Sequence, residues 1–285
     1  MKKLTLVAAI SSMLFACTEE KQSNKSVNEI QSVKTELVKS EMLKSYVGSF
    51  EAEVVNNHAK SPTYANKINI SVTSLKDGKI SGYSLIAGNQ QTFEGTYTVN
   101  AGKFDVKAKE PGTDKHDGRF EFSLDTIGKK VVGKWYSFDT TIDVTVRTYT
   151  LDEKTFSYDA NLPLPEILVG MPFYDPNLEE ADGGRGEGIT KDVLKVNPSL
   201  VELSKAQVEN MYKGDLEVLR NSIYARHGYS FRNRKMRYLF DNYADWYMPV
   251  SLNVENELTE IEKKNIDLLK RYENHADKYY DEFGR

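Results

Sequence analysis

Cysteine is nearly absent from this chain: Cys17 is the only one in 285 residues. A single thiol excludes an intramolecular disulfide, so folding does not depend on the redox state of the compartment. Histidine is also scarce. His58, His116, His227 and His275 stand apart without the short spacing that metal ligation uses, so no metal site is expected. Positive charge is not in excess either: 38 Lys and Arg against 42 Asp and Glu give a formal charge of −4, which argues against a nucleic-acid partner. The apolar run Leu4–Ala16 is too short to span a bilayer comfortably. Gly184, Gly186 and Gly188 lack the Lys-Ser/Thr pair and the flanking strand and helix of a phosphate loop, so no nucleotide or other cofactor is expected.

What is present begins with Lys2 and Lys3 ahead of that apolar run, the arrangement of a secretory signal. Leu14-Phe15-Ala16-Cys17 resembles the cleavage box of bacterial lipoproteins. The resemblance implies a signal over residues 1–17 and lipidation of Cys17 as the first residue of the mature chain. Glu19-Glu20-Lys21 is similar to the acidic export signals of Bacteroidetes surface lipoproteins. Together they imply an outer-membrane lipoprotein, periplasmic or surface-exposed, held to the membrane by its lipid anchor. Residues 18–45 have the polar composition of a tether that cannot bury enough surface to fold alone. Val27, Ile30, Val33, Leu37 and Met42 fall at near-helical intervals, which suggests a helix at its end.

From residue 46 to 158 the hydrophobic period becomes two. Phe50-Ala52-Val54, Ile68-Ile70-Val72, Ile80–Ile86, Phe93-Gly95-Tyr97-Val99, Phe104-Val106-Ala108, Phe120-Phe122-Leu124, Val131-Gly133-Trp135 and Ile142-Val144-Val146 read as about eight strands. Turn residues separate them at Lys76-Asp77-Gly78, Gly88-Asn89, Asn100-Ala101-Gly102 and Gly128-Lys129. An antiparallel meander is predicted, either a barrel similar in pattern to a lipocalin or an open sandwich. Phe50, Phe93, Tyr97, Phe120, Phe122 and Trp135 are bulky enough to fill such a barrel, so a packed interior is preferred to a ligand cavity. Asp125-Thr126-Ile127 and Asp139-Thr140-Thr141 match the short O-glycosylation pattern of Bacteroidetes, although turn chemistry places Asp-Thr there as well.

Leu162-Pro163-Leu164-Pro165 and the glycine-rich stretch 182–188 mark residues 159–199 as a connection, with Ile167-Leu168-Val169 as a short strand inside it. Residues 200–285 return to helical period. Ser204 is a predicted N-cap, Asp215 the N-cap of a central helix, and Asn233 the cap of a third helix through Tyr243. Thr259-Glu260-Ile261-Glu262 is a capping box for a last helix with Ile261, Leu268 and Tyr272 on its apolar side. The fold expected is therefore α+β, a β-meander followed by a small all-α domain.

The central helix ends in Tyr224-Ala225-Arg226-His227-Gly228, with Leu219-Arg220-Asn221 before it and Phe231, Trp246-Tyr247, Leu258-Thr259 and Asn265-Ile266 after it. Over about residues 200–275 this resembles the YARHG domain. The resemblance implies a small extracellular helical domain of bacterial envelope proteins and no known reaction. The residues add their own reading. Gly228 suits a left-handed helix end, and Arg226 and His227 lie near the negative end of the helix dipole.

Arg220, Arg226, Arg232, Arg234, Lys235 and Arg237 form a run without a carboxylate, interleaved with Tyr224, Tyr229 and Phe231. A cationic, aromatic surface built on Arg226, Arg232, Arg234, Arg237 and Tyr229 suits an anionic glycan, a lipid headgroup or an acidic protein. Pairing with acidic residues of the same domain competes with that role. His227 could act as a general base with Glu262 in a hydrolase, but no nucleophile setting accompanies it. The reading is a binding or scaffold module without catalytic activity. An envelope hydrolase and a small-ligand carrier using the barrel are the alternatives.

Overall fold

The computed structural model describes residues 45–60, 62–125, 127–171 and 188–279. The expected signal with Cys17, the tether and its helix, Thr126 and most of the glycine-rich stretch lie outside those residues.

Eight strands follow one another: β1 (Ser45–Val55), β2 (Ala65–Lys76), β3 (Lys79–Ile86), β4 (Asn89–Asn100), β5 (Lys103–Lys109), β6 (Gly118–Asp125), β7 (Lys130–Ser137) and β8 (Val144–Lys154). Each pairs antiparallel with its neighbour in sequence, and β8 closes on β1, so the meander is a barrel and not a sandwich. Three hairpins turn on two residues of positive φ, Asp77-Gly78, Ala87-Gly88 and Ala101-Gly102. That geometry matches the twist of the flanking strands.

The alternation of the sequence holds through most of the barrel. Phe50, Phe93, Phe120, Phe122 and Trp135 are buried, with Phe50 and Trp135 edge to face at 5.9 Å and Phe93 against Phe120 at 5.6 Å. Tyr97 is half-buried and packs on Phe104 instead of lying in the centre.

β8 departs from the expected Ile142–Val146. It runs to Lys154, because β1 needs a partner along its whole length, and the register slips between Ala52 and Val54 and again between Val54 and Val55. A bulge moves the following residues to the opposite face. Arg147, Tyr149 and Leu151 therefore take the inward places.

The helical part contains α1 (Lys205–Val208), α2 (Lys213–Arg226), α3 (Arg234–Tyr243) and α4 (Glu260–Tyr279). Ser204 and Gln207 form a capping box on α1, and the Asn233 side chain accepts from the amides of Lys235 and Met236 at the start of α3. Three expectations are corrected here. Asp215 is not the cap of α2. The helix starts earlier, after Tyr212, and Asp215 turns inward to accept from Thr190 N at 2.8 Å and Thr190 Oγ1 at 2.6 Å. Ile167-Leu168-Val169 is not a strand: Glu166–Leu168 is a 3₁₀ turn that drops Leu168 into the helical core. The buried side of α4 carries Ile266, Leu269 and Ala276, while Ile261 is 37% exposed. Glu262 and Asn265 on that same side make buried polar bonds, and these fix the rotation of the helix.

The barrel and helices are joined by more than the chain. Ile68–Val72 is buried on both faces of β2, because α3 and the loop after it lie across the outer one. Lys67 donates its backbone N–H to Asp241 (2.9 Å) and its ammonium to the carbonyls of Ala244 and Tyr247 (3.0 and 3.1 Å). Asn69 Nδ2 reaches Pro249 O at 2.8 Å, and Gly88 N–H donates to Ser230 Oγ at 3.0 Å.

Candidate functional site

The end of α2 is the best-organised polar site in the helical part. Gly228 takes a left-handed conformation (φ 72°), and a Cβ there would meet Phe156 Cε2 at 2.9 Å and Met248 O at 3.0 Å. That turn sends the His227 ring inward beneath the segment that leaves the barrel. His227 Nε2 donates to Glu262 Oε2 at 2.8 Å. Tyr158, from the outgoing segment, stacks on the imidazole with centroids 4.2 Å apart and donates its hydroxyl to Glu262 Oε1 at 3.0 Å.

Glu262 is held from its own helix as well. It stands three residues after Thr259, whose N–H and Oγ1 donate to Oε2 at 2.9 and 3.1 Å, while Glu262 N–H donates back to Thr259 Oγ1 at 3.2 Å. This is the reciprocal capping arrangement. Burial pushes the carboxyl up, but the His227, Thr259 and Ser199 hydrogen bonds and the nearby imidazole outweigh it and bring the acid down to about 2. An ionised carboxylate thus sits at the centre of the motif with its lone pairs occupied.

Arg226 is not on the surface: it is 2% exposed. Its Nε donates to Leu162 O at 2.9 Å, and Nη1 donates to Ser222 Oγ at 2.8 Å and Ser199 Oγ at 3.4 Å. Desolvation lowers it to about 10, against the attraction of Glu262, Tyr158 and Asp159. Trp246 Nε1 donates to Pro163 O at 2.9 Å, and Asn197 Nδ2 to Ala160 O at 2.8 Å. The motif and its neighbours therefore grip residues 156–163 by ring stacking and by carbonyl after carbonyl.

The remaining arginines of the run separate in space. Arg220 forks onto Glu273 (2.6 and 2.9 Å) and ties α2 to α4. Arg232 Nε donates to Gly88 O at 3.1 Å and Arg234 Nη2 to Pro62 O at 3.1 Å, so both face the barrel. Arg237 donates Nη1 to Arg232 O. Tyr229 is half-buried between Tyr224 and Phe231, at 5.9 and 5.2 Å, and lines a shallow groove with Arg220, Arg232 and Lys270. The single cationic face read from the sequence is thus an internal clamp at Arg226, a docking contact at Arg232 and Arg234, and a cavity wall at Arg237.

That cavity, of about 780 Å³, occupies the end of the barrel where the β1–β2, β3–β4, β5–β6 and β7–β8 connections meet α3. Phe50 and Trp135 form its aromatic floor, Arg147 and Arg237 lie on its wall, and Glu110, Asn66 and Asp117 are further wall residues. Arg147 is buried, donating to Phe50 O at 3.0 Å and Thr63 O at 2.8 Å; desolvation and then the charge of Arg237 lower it to about 10. Glu110 accepts from Gly118 N–H (2.7 Å), Trp135 Nε1–H (3.0 Å) and Ser84 Oγ (3.3 Å). Its burial still pushes the acid up to about 7, with Asp117 adding to the rise.

None of Tyr158, Ser199, Glu110, Asn66 and Arg147 was singled out from the sequence. Two of them left a signal: Glu110 continues the inward series Val106, Ala108, and Asn66 precedes Ile68, Ile70 in the same phase.

A general base must reach its substrate. His227 is 3% exposed, and the Glu262 side chain is fully enclosed, so the pair has the geometry of an internal fastening.

Residues 195–274 match the model of the YARHG domain. Tyr158, Leu162 and Pro163, which the motif holds, lie outside the matched residues. No curated protein matches the chain.

Proposed function

We propose that this chain, which carries a YARHG domain over residues 195–274, is a lipid-anchored cell-envelope protein that works by binding and not by catalysis. Its YARHG domain is the scaffold that holds one end of the barrel. The observation that carries the reading is the enclosed His227–Glu262 pair, stacked under Tyr158 and engaged on both carboxylate oxygens. A motif whose arginine is engaged by a carbonyl and two hydroxyls, and whose histidine is engaged by a buried acid, supports a structural role. The lipobox-like Leu14–Cys17 supports the anchor on Cys17 and an outer-membrane location.

The test has two arms. Palmitate labelling is expected in the natural chain and lost in Cys17→Ala; labelling that persists in the variant refutes the anchor. Purified envelope glycan is expected to remain uncut by the natural chain, and His227→Gln is expected to melt at a lower temperature. Release of reducing ends by the natural chain, lost in a His227→Gln protein that is still folded, would establish the hydrolase instead.

A second reading, a small-ligand carrier using the barrel, is favoured by the 780 Å³ cavity at its end. That volume lies in the range of roughly 300–1,000 Å³ usual for ligand sites.

A further inference from the structure

The barrel-end cavity holds both donors and acceptors that lack partners. Arg147 of β8 and Arg237 of α3 line it together with Arg232, and Arg237 is close enough to oppose the charge of Arg147. Two buried or half-buried guanidinium groups in one cavity repel each other and gain from a shared anion. Arg147 spends donors on Phe50 O and Thr63 O. Arg237 Nε is a buried donor without a hydrogen-bond partner. Acceptors are in surplus as well: Asn66 Oδ1 and Asp117 Oδ1 are buried and unpartnered, although Asp117 Oδ2 accepts from Thr113 N–H (2.9 Å) and Asp114 N–H (3.1 Å). Buried polar atoms left unpaired cost about 1–3 kcal/mol each, so a polar ligand that completed several of them along one cavity would gain by doing so.

The cationic donors call for an anion, and the acceptors call for hydroxyl groups. Ser84, Asn89 and Gln91 extend the polar lining, and Phe50 and Trp135 add aromatic edges to it. A long alkyl chain does not suit it. The bore beyond Phe50 is filled by Phe93, Phe120 and Tyr149, packed edge to face or tilted against one another.

We propose that the cavity between the barrel end and α3 binds a small hydroxylated acid of the uronic-acid type, its carboxylate on Arg147 and Arg237 and its hydroxyls on Asn66 and Asp117. This rests on the carrier reading above. Because Arg237 belongs to the helical part and Arg147 to the barrel, the bound acid joins the two.

The test titrates the full-length chain with D-glucuronate and, separately, with D-glucose, following the Trp135 indole N–H resonance. Glucuronate is expected to shift that resonance saturably, and glucose to bind at least tenfold more weakly. Arg237→Gln is expected to lose the preference for the acid. Asp117→Asn, which keeps the Oδ2 contacts and replaces the unpartnered acceptor by a donor, is expected to weaken glucuronate at least threefold with the circular dichroism unchanged. Equal affinity for the two sugars, or no effect of either substitution, overturns the assignment of the anion site and leaves the carrier reading standing. No response to glucuronate also overturns the proposal. In that case native mass spectrometry of the chain drawn from bacterial envelopes decides the wider reading, which survives if a different small molecule is retained and falls if none is.

Discussion

At the scale of single residues, Glu262 shows how the motif derives stability from a charge. Its acid falls from an ordinary 4.5 to about 2 in the folded chain. A depressed carboxyl stabilises the fold above pH 4.5 and loses that contribution as pH falls toward 2. The shift corresponds to roughly 3 kcal/mol. Glu262→Gln keeps the shape and removes the charge, so its unfolding free energy from urea titration at pH 7 should be lower by up to about that amount. The deficit should shrink at pH 3. Glu110 has the opposite sign. Its acid rises from 4.5 to about 7, so ionising it costs stability progressively as pH climbs from 4.5 through 7. Glu110→Gln can still accept from Gly118 and Trp135, and urea titration should find it more stable than the natural chain at pH 8, by up to roughly 3 kcal/mol. At pH 4 the two should melt alike.

Among the elements, Gly228 is the hinge on which the motif turns. An alanine there would sit at φ 72° with its Cβ against Phe156 and Val250. Left-handed strain alone is about 1–2 kcal/mol, and the crowding adds to it. Thermal melts should therefore place Gly228→Ala well below the natural chain, whereas a melt unchanged within error would remove the turn from the account. The elements also show what a sequence can and cannot reveal. Strand phase was legible, because inward and outward residues simply alternate from β4 through β7. Arg147 was not, because the slip around Val54 flips the face of β8 and nothing in the local pattern announces it. Helix caps at Ser204, Asn233 and Thr259 were legible, since the side chain and its amide partners are two or three residues apart. Asp215 was misread for the converse reason: its partner is Thr190, 25 residues earlier. The arginine run was visible as a cluster. Its destinations were not, because Leu162 O, Pro62 O and Gly88 O are chain-distant backbone atoms that carry no sequence signature.

Across the whole molecule, two seams join the barrel and the helical part, in addition to the contacts of Ser230, Arg232 and Arg234 with the barrel connections. One is the face of β2 under α3, fastened by Lys67, Asn69 and Asp241. Burial raises the Asp241 acid to about 6, and the Lys67 bond and nearby cations oppose that rise. The other is the outgoing segment 156–163 under the motif, fastened by Tyr158, Leu162 O and Pro163 O. Since the hydrogen bonds of Tyr158, Ala160, Leu162 and Pro163 run to Glu262, Asn197, Arg226 and Trp246, the motif's own residues and the outgoing chain should loosen together. Hydrogen–deuterium exchange on the natural chain and on His227→Gln measures this directly. The result expected is faster exchange in His227→Gln at residues 156–163, at the end of α2 and in the first turn of α4 together, with β3–β7 protected as before. Loss of protection confined to the end of α2, with the outgoing segment and α4 unchanged, would contradict the account.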